Sequence, residues 1–487
     1  MTLINLLDAI VCQKFNYSDI DISAVTPDPD KCQPSSLFVC IKGLHRDGHD
    51  VIEKALSNGA VAFVIEDTRT DIRVRLDELN LPYAVTDNCR SALSRLVSRF
   101  YHDPSKHLKI TAVTGTNGKT STVAMLNAIY TYAGHRTATV GTLTSNMTTP
   151  DPTELYPMLK GFYDAGITHV FMEASSHALS LCKLDPITFE NAIFTNLSPE
   201  HLDYHANMEE YGKAKAKLFL QSKRSFLNAD DKYCDIMQNP TSKTYFCSMG
   251  GTKYDFSARD IRYRGANGSS YTVYTENSAF KIDLSIPGDF SIMNSLEAAA
   301  CAYVNGISVR TIRYALKSFH SVKGRLERVQ LPTNEYSVYI DFAHTPDALR
   351  NLLKAVRSFM RNDQRLILLF GCGGDRDKCK RALMGKVASE LSDFVVITSD
   401  NSRSEDTEDI ISMILSGFDS DCPHAVIENR KEAIEFCISN AIKGDVIILA
   451  GKGHEEYQIL GNVKYDFNEK EIVLEAVKRS LNGRGTI

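Results

Sequence analysis

The sequence predicts an α/β protein of three domains. These are a small N-terminal α/β domain over residues 1–106, a central P-loop domain with a mostly parallel sheet over 107–323, and a C-terminal Rossmann-like α/β domain over 324–487. Three observations predict it. The chain has 487 residues, too many for one ordinary core. Short apolar strands alternate with helix-spaced segments, the pattern of parallel sheets covered by helices. One such strand runs straight into a glycine-rich turn at residues 115–121 and then into a helical pattern.

In the first domain, 36–42 and 61–66 read as strands, and 51–59 as a helix that stops at Asn58-Gly59. Residues 82–86 precede a helix-like run to Tyr101, and 102–105 reads as a linker. The second domain opens with a strand at Lys109–Thr114 and a helix from Lys119 to about Tyr132. Strands recur at His169–Glu173 and 191–195. The Tyr- and Thr-rich stretch 253–284 alternates in polarity and reads as a small antiparallel insertion. The third domain has fully buried strands at 338–342, 366–371, 394–398 and 446–450. Helix-like stretches at 345–360, 381–391, 408–418 and 431–440 lie between them. Ligands of such open sheets sit at the carboxyl ends of the strands.

Hydrophobic residues make up 43% and charged residues 24%, which fits a folded globular protein and excludes disorder. A net charge of -5 gives no whole-protein attraction to nucleic acid or an anionic membrane. The 12 cysteines are scattered with no C-x-x-C pair, against a disulfide scaffold or zinc cluster. The start lacks the pattern of a signal peptide and no apolar run is long enough to span a bilayer, so a cytoplasmic enzyme is expected, with no membrane insertion. The oligomeric state is not legible, and a monomer is the default.

Thr114-Gly115-Thr116-Asn117-Gly118-Lys119-Thr120-Ser121 carries the first chemistry. Its glycines let successive N–H groups point at a phosphate, and the helix start adds partial positive charge. Lys119 can reach the outer phosphates, and Thr120 or Ser121 can hold Mg²⁺. Val113 stands where the general G-x-x-x-x-G-K-[ST] pattern begins with Gly, so the loop is a shorter form. Glu173 closes a strand and can offer oxygen to Mg²⁺. Glu200, His201, Asp203 and His205 follow another strand and could coordinate metal or position phosphates. By themselves Lys213, Lys215 and Lys217 read as the basic face of a helix.

Taken in order along nearly the whole chain, these motifs resemble those of the Mur ligases, the ATP-dependent amide-forming enzymes of peptidoglycan-precursor synthesis. Folylpolyglutamate synthase is their relative. The nearest resemblance is to members that add the third amino acid to UDP-N-acetylmuramoyl-L-alanyl-D-glutamate. It implies domains that bind UDP-sugar, ATP and amino acid in turn, and ATP and Mg²⁺ as cofactors. Lys119, Lys215, His201 and Glu173 would be catalytic. Thr120, Glu173, His201 and Lys215 would surround the metal, Lys215 as a carbamate by its register from Tyr211. A carbamate needs a neutral amine, which a desolvated lysine supplies.

The same resemblance implies ATP contacts at Gly115, Thr116, Asn117, Gly118, Lys119, Thr120, Ser121, Asn294, Arg325, Asp341 and His344. UDP-sugar contacts would be Ser23, Thr148, Thr149, Ser175 and Lys183. Ala24, Lys183, Glu200 and Ser291 depart from the family's usual residues. The amino-acid site would hold Arg376, Asp400, Asn401, Arg403, Gly451 and Glu455. Asp400-Asn401-Ser402-Arg403 resembles the D-N-P-R of members that use meso-diaminopimelate, with Ser402 for Pro. Arg403 could fork to the second carboxylate that lysine lacks, and Glu455 could pair the distal ammonium. A plainer role for Arg403 is a surface pair with Glu405 or Asp406. The implied reaction forms an acyl phosphate that an amine then attacks. L-lysine as the amine, a different carboxylate substrate, or a nucleotide-gated switch without ligation are the alternatives.

Overall fold

The structure is a computed structural model and describes residues 1–43, 46–145, 147–202, 204–265, 267–419 and 421–484. Three sheets organise it. The first has the strand order Gln13–Phe15, Tyr83–Thr86, Ala60–Glu66, Ser36–Val39, Ala24–Thr26, parallel except for its first strand. Leu96 and Val97 of helix Cys89–Phe100 share one apolar core with Leu155 and Leu159 of helix Pro152–Asp164, which covers the second sheet. Residues 102–105 connect the two sheets' elements as a packed turn. Pro104 and Ser105 are buried in a tight turn, and Ser98 Oγ donates to Asp103 Oδ1 at 3.2 Å. The reason is the second apolar face of helix Cys89–Phe100, which has to be covered.

The second sheet has nine strands. In order they are Ala279–Leu284, Ser269–Tyr274, Phe256–Tyr263, Lys243–Ser248, Ser222–Asn228, Phe189–Phe194, Lys109–Thr114, His169–Glu173 and Thr137–Val140. Lys109–Thr114 lies between Phe189–Phe194 and His169–Glu173, all parallel, so three strand ends converge on the glycine-rich turn. The stretch 253–284 is antiparallel as its alternation predicts, but it is no insertion. Phe256 pairs in parallel with Cys247, and the three antiparallel strands continue the same sheet. Ala258, Val273 and Ile282 pack in one core with Leu296 of helix Asp289–Val304. Every second residue of these strands thus finds an existing apolar face.

The third sheet runs Glu327–Arg328, Ser337–Asp341, Val446–Ala450, Leu366–Phe370, Phe394–Ile397, His424–Val426 and is parallel after its first strand. Separate apolar cores lie on its two faces, which is why its strands read as continuous hydrophobic runs. A hairpin of Tyr457–Leu460 and Val463–Asp466 and a last helix, Glu469–Arg484, follow the final strand. All twelve cysteines are free thiols. Among the described residues no helix is long and apolar enough to cross a membrane.

Candidate active site

The glycine-rich turn is stitched to the neighbouring strand end. Thr116 N donates to Asn196 O at 2.9 Å, Asn117 N to Asn196 Oδ1 at 2.9 Å, and Thr195 Oγ1 to Asn117 O at 2.6 Å. Gly118 opens the helix at φ 89°, and a β-carbon there would stand 2.6 Å from Asn294 Oδ1. Lys119 folds back, its Nζ donating to Gly115 O at 2.8 Å and Thr116 O at 2.7 Å. Burial pushes its pKa down, against the opposing pull of Glu200 and Glu173. The turn is thus held open by partners outside itself, with Lys119 occupying its mouth.

Glu173 is 2% exposed at the end of its strand. It accepts from Thr120 Oγ1 at 3.1 Å, Thr142 N at 2.9 Å and Thr142 Oγ1 at 3.3 Å, all neutral donors. A cavity of about 280 Å³ gathers Lys119, Thr120, Glu173, His201, Arg325 and His344. His201 sits at φ 57° with its Nε2 3.8 Å from Glu200 Oε2 and its ring 4.8 Å from His177. Asp203 lies outside the described residues. Lys215 is 1% exposed; its Nζ donates to Gly115 O at 2.9 Å and sits 4.5 Å from the centre of the Tyr211 ring. Burial first, then the Lys119 charge, holds its pKa well below the usual lysine range. The Thr120–Glu173 pair is in contact, while Lys215 lies behind the turn.

The far wall comes from the third sheet. Asp341 accepts from Leu326 N at 2.6 Å and Ala343 N at 2.8 Å, so it clamps the crossover between the two sheets. Burial raises its pKa. Arg325 lays its guanidinium 4.7 Å over the Phe342 ring, and its Nε is buried with no protein partner. His344 Nδ1 donates to Phe342 O at 2.8 Å, and burial holds this imidazole below its usual pKa. A second cavity of about 460 Å³ is lined by Asn117, Ser121, Asn294, Arg325, Asp341 and Ala355. The expected nucleotide residues therefore meet across two sheets that are far apart in sequence.

Of the expected sugar-end residues, Thr148 lines the smaller cavity. Thr149 Oγ1 donates to Glu173 O at 2.9 Å and accepts from Ser175 N at 3.1 Å. Ser175 Oγ caps helix Ser176–Ser180 through Ala178 N at 3.2 Å. Lys183 pairs with Asp151 at 2.6 Å. Ser23 lies elsewhere, donating to Pro34 O at 2.6 Å, and lines neither cavity.

The expected amino-acid residues gather at the carboxyl end of the third sheet. Asn401 Nδ2 donates to Glu455 Oε2 at 2.9 Å. Arg403, at φ 51°, donates from Nη1 to Gly374 O at 2.7 Å and forms no ion pair among the described residues. Glu405, its plainer partner, is instead taken by fully buried Arg381 at 2.8 Å and by Lys378 at 3.2 Å. The Arg381 hydrogen bonds hold the Glu405 carboxyl down at a pKa of about 2. Arg376 is exposed and donates to Asp375 O at 3.2 Å. Gly451 takes φ 111° where a β-carbon would lie 2.6 Å from Asp400 Oδ2.

Sequence reasoning missed four residues. Thr142 binds Glu173 as described, and Tyr211 Oη lies 3.2 Å from Thr116 Oγ1. Arg381 frees Arg403 from Glu405. Lys452, between Gly451 and Glu455, is a fully buried cation whose type alone demanded a partner.

A strand–turn–helix phosphate cradle with a buried carboxylate, closed by a second α/β sheet, defines a nucleotide-dependent α/β enzyme. The chain belongs to the Mur ligase family and is an ATP-dependent peptide ligase. Residues 21–101 match the family's catalytic domain, 113–302 its middle domain and 324–453 its glutamate ligase domain. It is 41% identical to a UDP-N-acetylmuramoyl-L-alanyl-D-glutamate–2,6-diaminopimelate ligase of Caldanaerobacter subterraneus subsp. tengcongensis, covering 99% of this chain and 100% of that one. The Clostridioides difficile ligase of that name is 39% identical over 95% of this chain and 96% of its own. A solved structure of a ligase of that name superposes with a TM-score of 0.66 at 30% identity, over 94% of this chain and 95% of that one. The MurF ligase of Thermotoga maritima in complex with ADP shares the fold at a TM-score of 0.60 and 16% identity, over 95% and 98%.

Proposed function

We propose that the chain joins the amine of meso-diaminopimelate to the D-glutamyl carboxylate of UDP-N-acetylmuramoyl-L-alanyl-D-glutamate, with ATP, in peptidoglycan-precursor synthesis. One observation carries the choice of amine. A guanidinium without an ion pair, Arg403, and a half-buried carboxylate, Glu455, both converge on Asn401. That wall offers a cation to a side-chain carboxylate and an anion to a side-chain ammonium. L-lysine carries only the ammonium.

The turn amides and Lys119 would cradle the ATP phosphates, Lys119 exchanging its two backbone carbonyls for phosphate oxygens. Glu173 suits a divalent cation, because its buried charge meets only neutral donors. Thr120, Glu173, His201 and a carbamylated Lys215 would hold Mg²⁺, which supplies neutralisation of the charge on the transferring phosphoryl group. The γ-phosphoryl group passes to the substrate carboxylate, and the amine then displaces phosphate from the acyl phosphate. Arg325 and His344, from the opposite wall, help exclude water that would hydrolyse that intermediate. Thr148 and Lys183 would face the muramoyl end. A cytoplasmic location goes with this reading.

The test is product mass spectrometry and phosphate release from the purified chain, with ATP, the UDP-muramoyl dipeptide and an amino-acid panel. ADP and phosphate should form only when both dipeptide and diaminopimelate are present. ADP release indifferent to either would sink the reading, and equal use of lysine would overturn the choice of amine.

A further inference from the structure

Lys452 has no place in the chemistry above, yet it is fully buried beneath the amino-acid wall. Its Nζ donates to Asn401 Oδ1 at 3.0 Å and Tyr457 O at 2.8 Å. Asp400 Oδ1 lies 3.4 Å away and Glu455 Oε2 3.9 Å away. Asn401 Oδ1 also accepts from Ile459 N at 2.9 Å. Two donors on that oxygen fix the orientation of the amide, so Nδ2 has to face Glu455, which it reaches at 2.9 Å.

The framework around this relay is held by other groups. Gln458 Nε2 donates to Ser399 Oγ and Asp400 O, each at 3.0 Å. Arg430, also buried, donates to Ala450 O at 2.8 Å and Ser399 O at 3.2 Å and pairs with Glu469 at 2.8 Å. The Lys452 ammonium therefore bears on the two carboxylates, the amide and the hairpin carbonyl of Tyr457 rather than on the main sheet. Within ion-pair distance, buried Asp400 and half-buried Glu455 share the one ammonium of Lys452. Asp400, the nearer to Lys452, is held below its ordinary pKa, whereas burial lifts that of Glu455. Glu455 is thus the carboxylate left to receive a cation from outside.

We infer that Lys452 is a positioning residue for the incoming amino acid: its ammonium locks the Asn401 amide, and the locked amide holds Glu455 where the distal ammonium of the substrate arrives. This rests on the reading that the substrate is a diamino acid. A bare Glu455 without the relay could rotate, and Asn401 could present its oxygen to it instead.

Steady-state kinetics on the full chain test this with wild type, Lys452→Met, Glu455→Gln and the double variant. Lys452→Met should raise KM for diaminopimelate about tenfold or more, with KM for ATP and for the UDP-muramoyl dipeptide within about twofold of wild type. In the Glu455→Gln background it should add less than about twofold, since both changes cut one relay. The acidic limb of the kcat/KM profile for diaminopimelate should move to higher pH in Lys452→Met, because the ammonium that lowers the Glu455 pKa is gone. Multiplying effects in the double variant, an equal rise in all three KM values, or an unchanged diaminopimelate KM would each overturn the inference. If Lys452→Met does not fold by thermal melt, Asn401→Asp carries the same test, since it keeps volume and the Lys452 partner but removes the donor to Glu455. Wild type that consumes no diamino acid would overturn both this inference and the proposed function. Active wild type with an indifferent Lys452→Met overturns this inference alone.

Discussion

Lys215 and Gly115 meet under the phosphate turn: the lysine Nζ donates to the glycine carbonyl at 2.9 Å, with the Tyr211 ring 4.5 Å from the nitrogen. A lysine that burial and the Lys119 charge drive toward its neutral form is the nucleophile that CO₂ adds to. Labelled bicarbonate should therefore give a carbamate carbonyl signal by carbon NMR that Lys215→Ala abolishes, and Lys215→Ala should lower kcat about a hundredfold or more. A full-rate enzyme in bicarbonate-free buffer without the signal would leave Lys215 as a buried amine.

Gly118 stands in the left-handed region against Asn294. Gly118→Ala forces a side chain into a conformation that costs about 1–2 kcal/mol and drives Asn294 off the cavity wall. Thermal melts should show the destabilisation, and nucleotide titration should show weaker ATP binding by about tenfold. ATP affinity equal to wild type would mean that Asn294 does not shape the nucleotide site.

Arg403→Ala keeps the β-carbon, so the φ 51° backbone carries the same strain. The loss should be that of hydrogen bonds to a charged group, about 1.5–3 kcal/mol. KM for diaminopimelate should rise about ten- to a hundredfold while any turnover of L-lysine stays level. A parallel loss for both amino acids would assign Arg403 to loop structure.

His169 lies at the opposite end of the central sheet, 4.5 Å from the His135 ring, and burial with the His135 charge lowers its pKa to about 4 from an ordinary 6.5. Between those values the unfolded chain binds the proton and the folded chain does not, so stability rises with pH there. The contribution is fully present above about pH 6.5 and is lost as pH falls toward about 4. Melting temperature should drop across that window, and His169→Gln should flatten the drop. An equal slope in the variant would assign the acid sensitivity to other groups.

Much of the site was legible because its parts are local. The strand Lys109–Thr114, the glycine turn and the helix Lys119–Tyr132 are set by adjacent residues, and the structure has them at the predicted bounds. The strand His169–Glu173 is similarly plain, its apolar run ending on the one residue that has to reach a cavity. The stretch 253–284 misled because alternation reports that a strand has one covered face, not which element covers it. That the connection at residues 102–105 is packed was not legible, because a polar, Pro-containing turn reads the same whether exposed or buried.

By itself the sequence determined the α/β class, the phosphate turn and the order of motifs, because periodicity and turn chemistry act over a few residues. Only the tertiary structure decided that Arg381 takes Glu405 and so leaves Arg403 unpaired, and that Lys452 lies under Asn401. Those choices depend on which strand ends meet. A buried charge takes whatever partner packing brings within a few ångströms, and distance along the chain does not encode that.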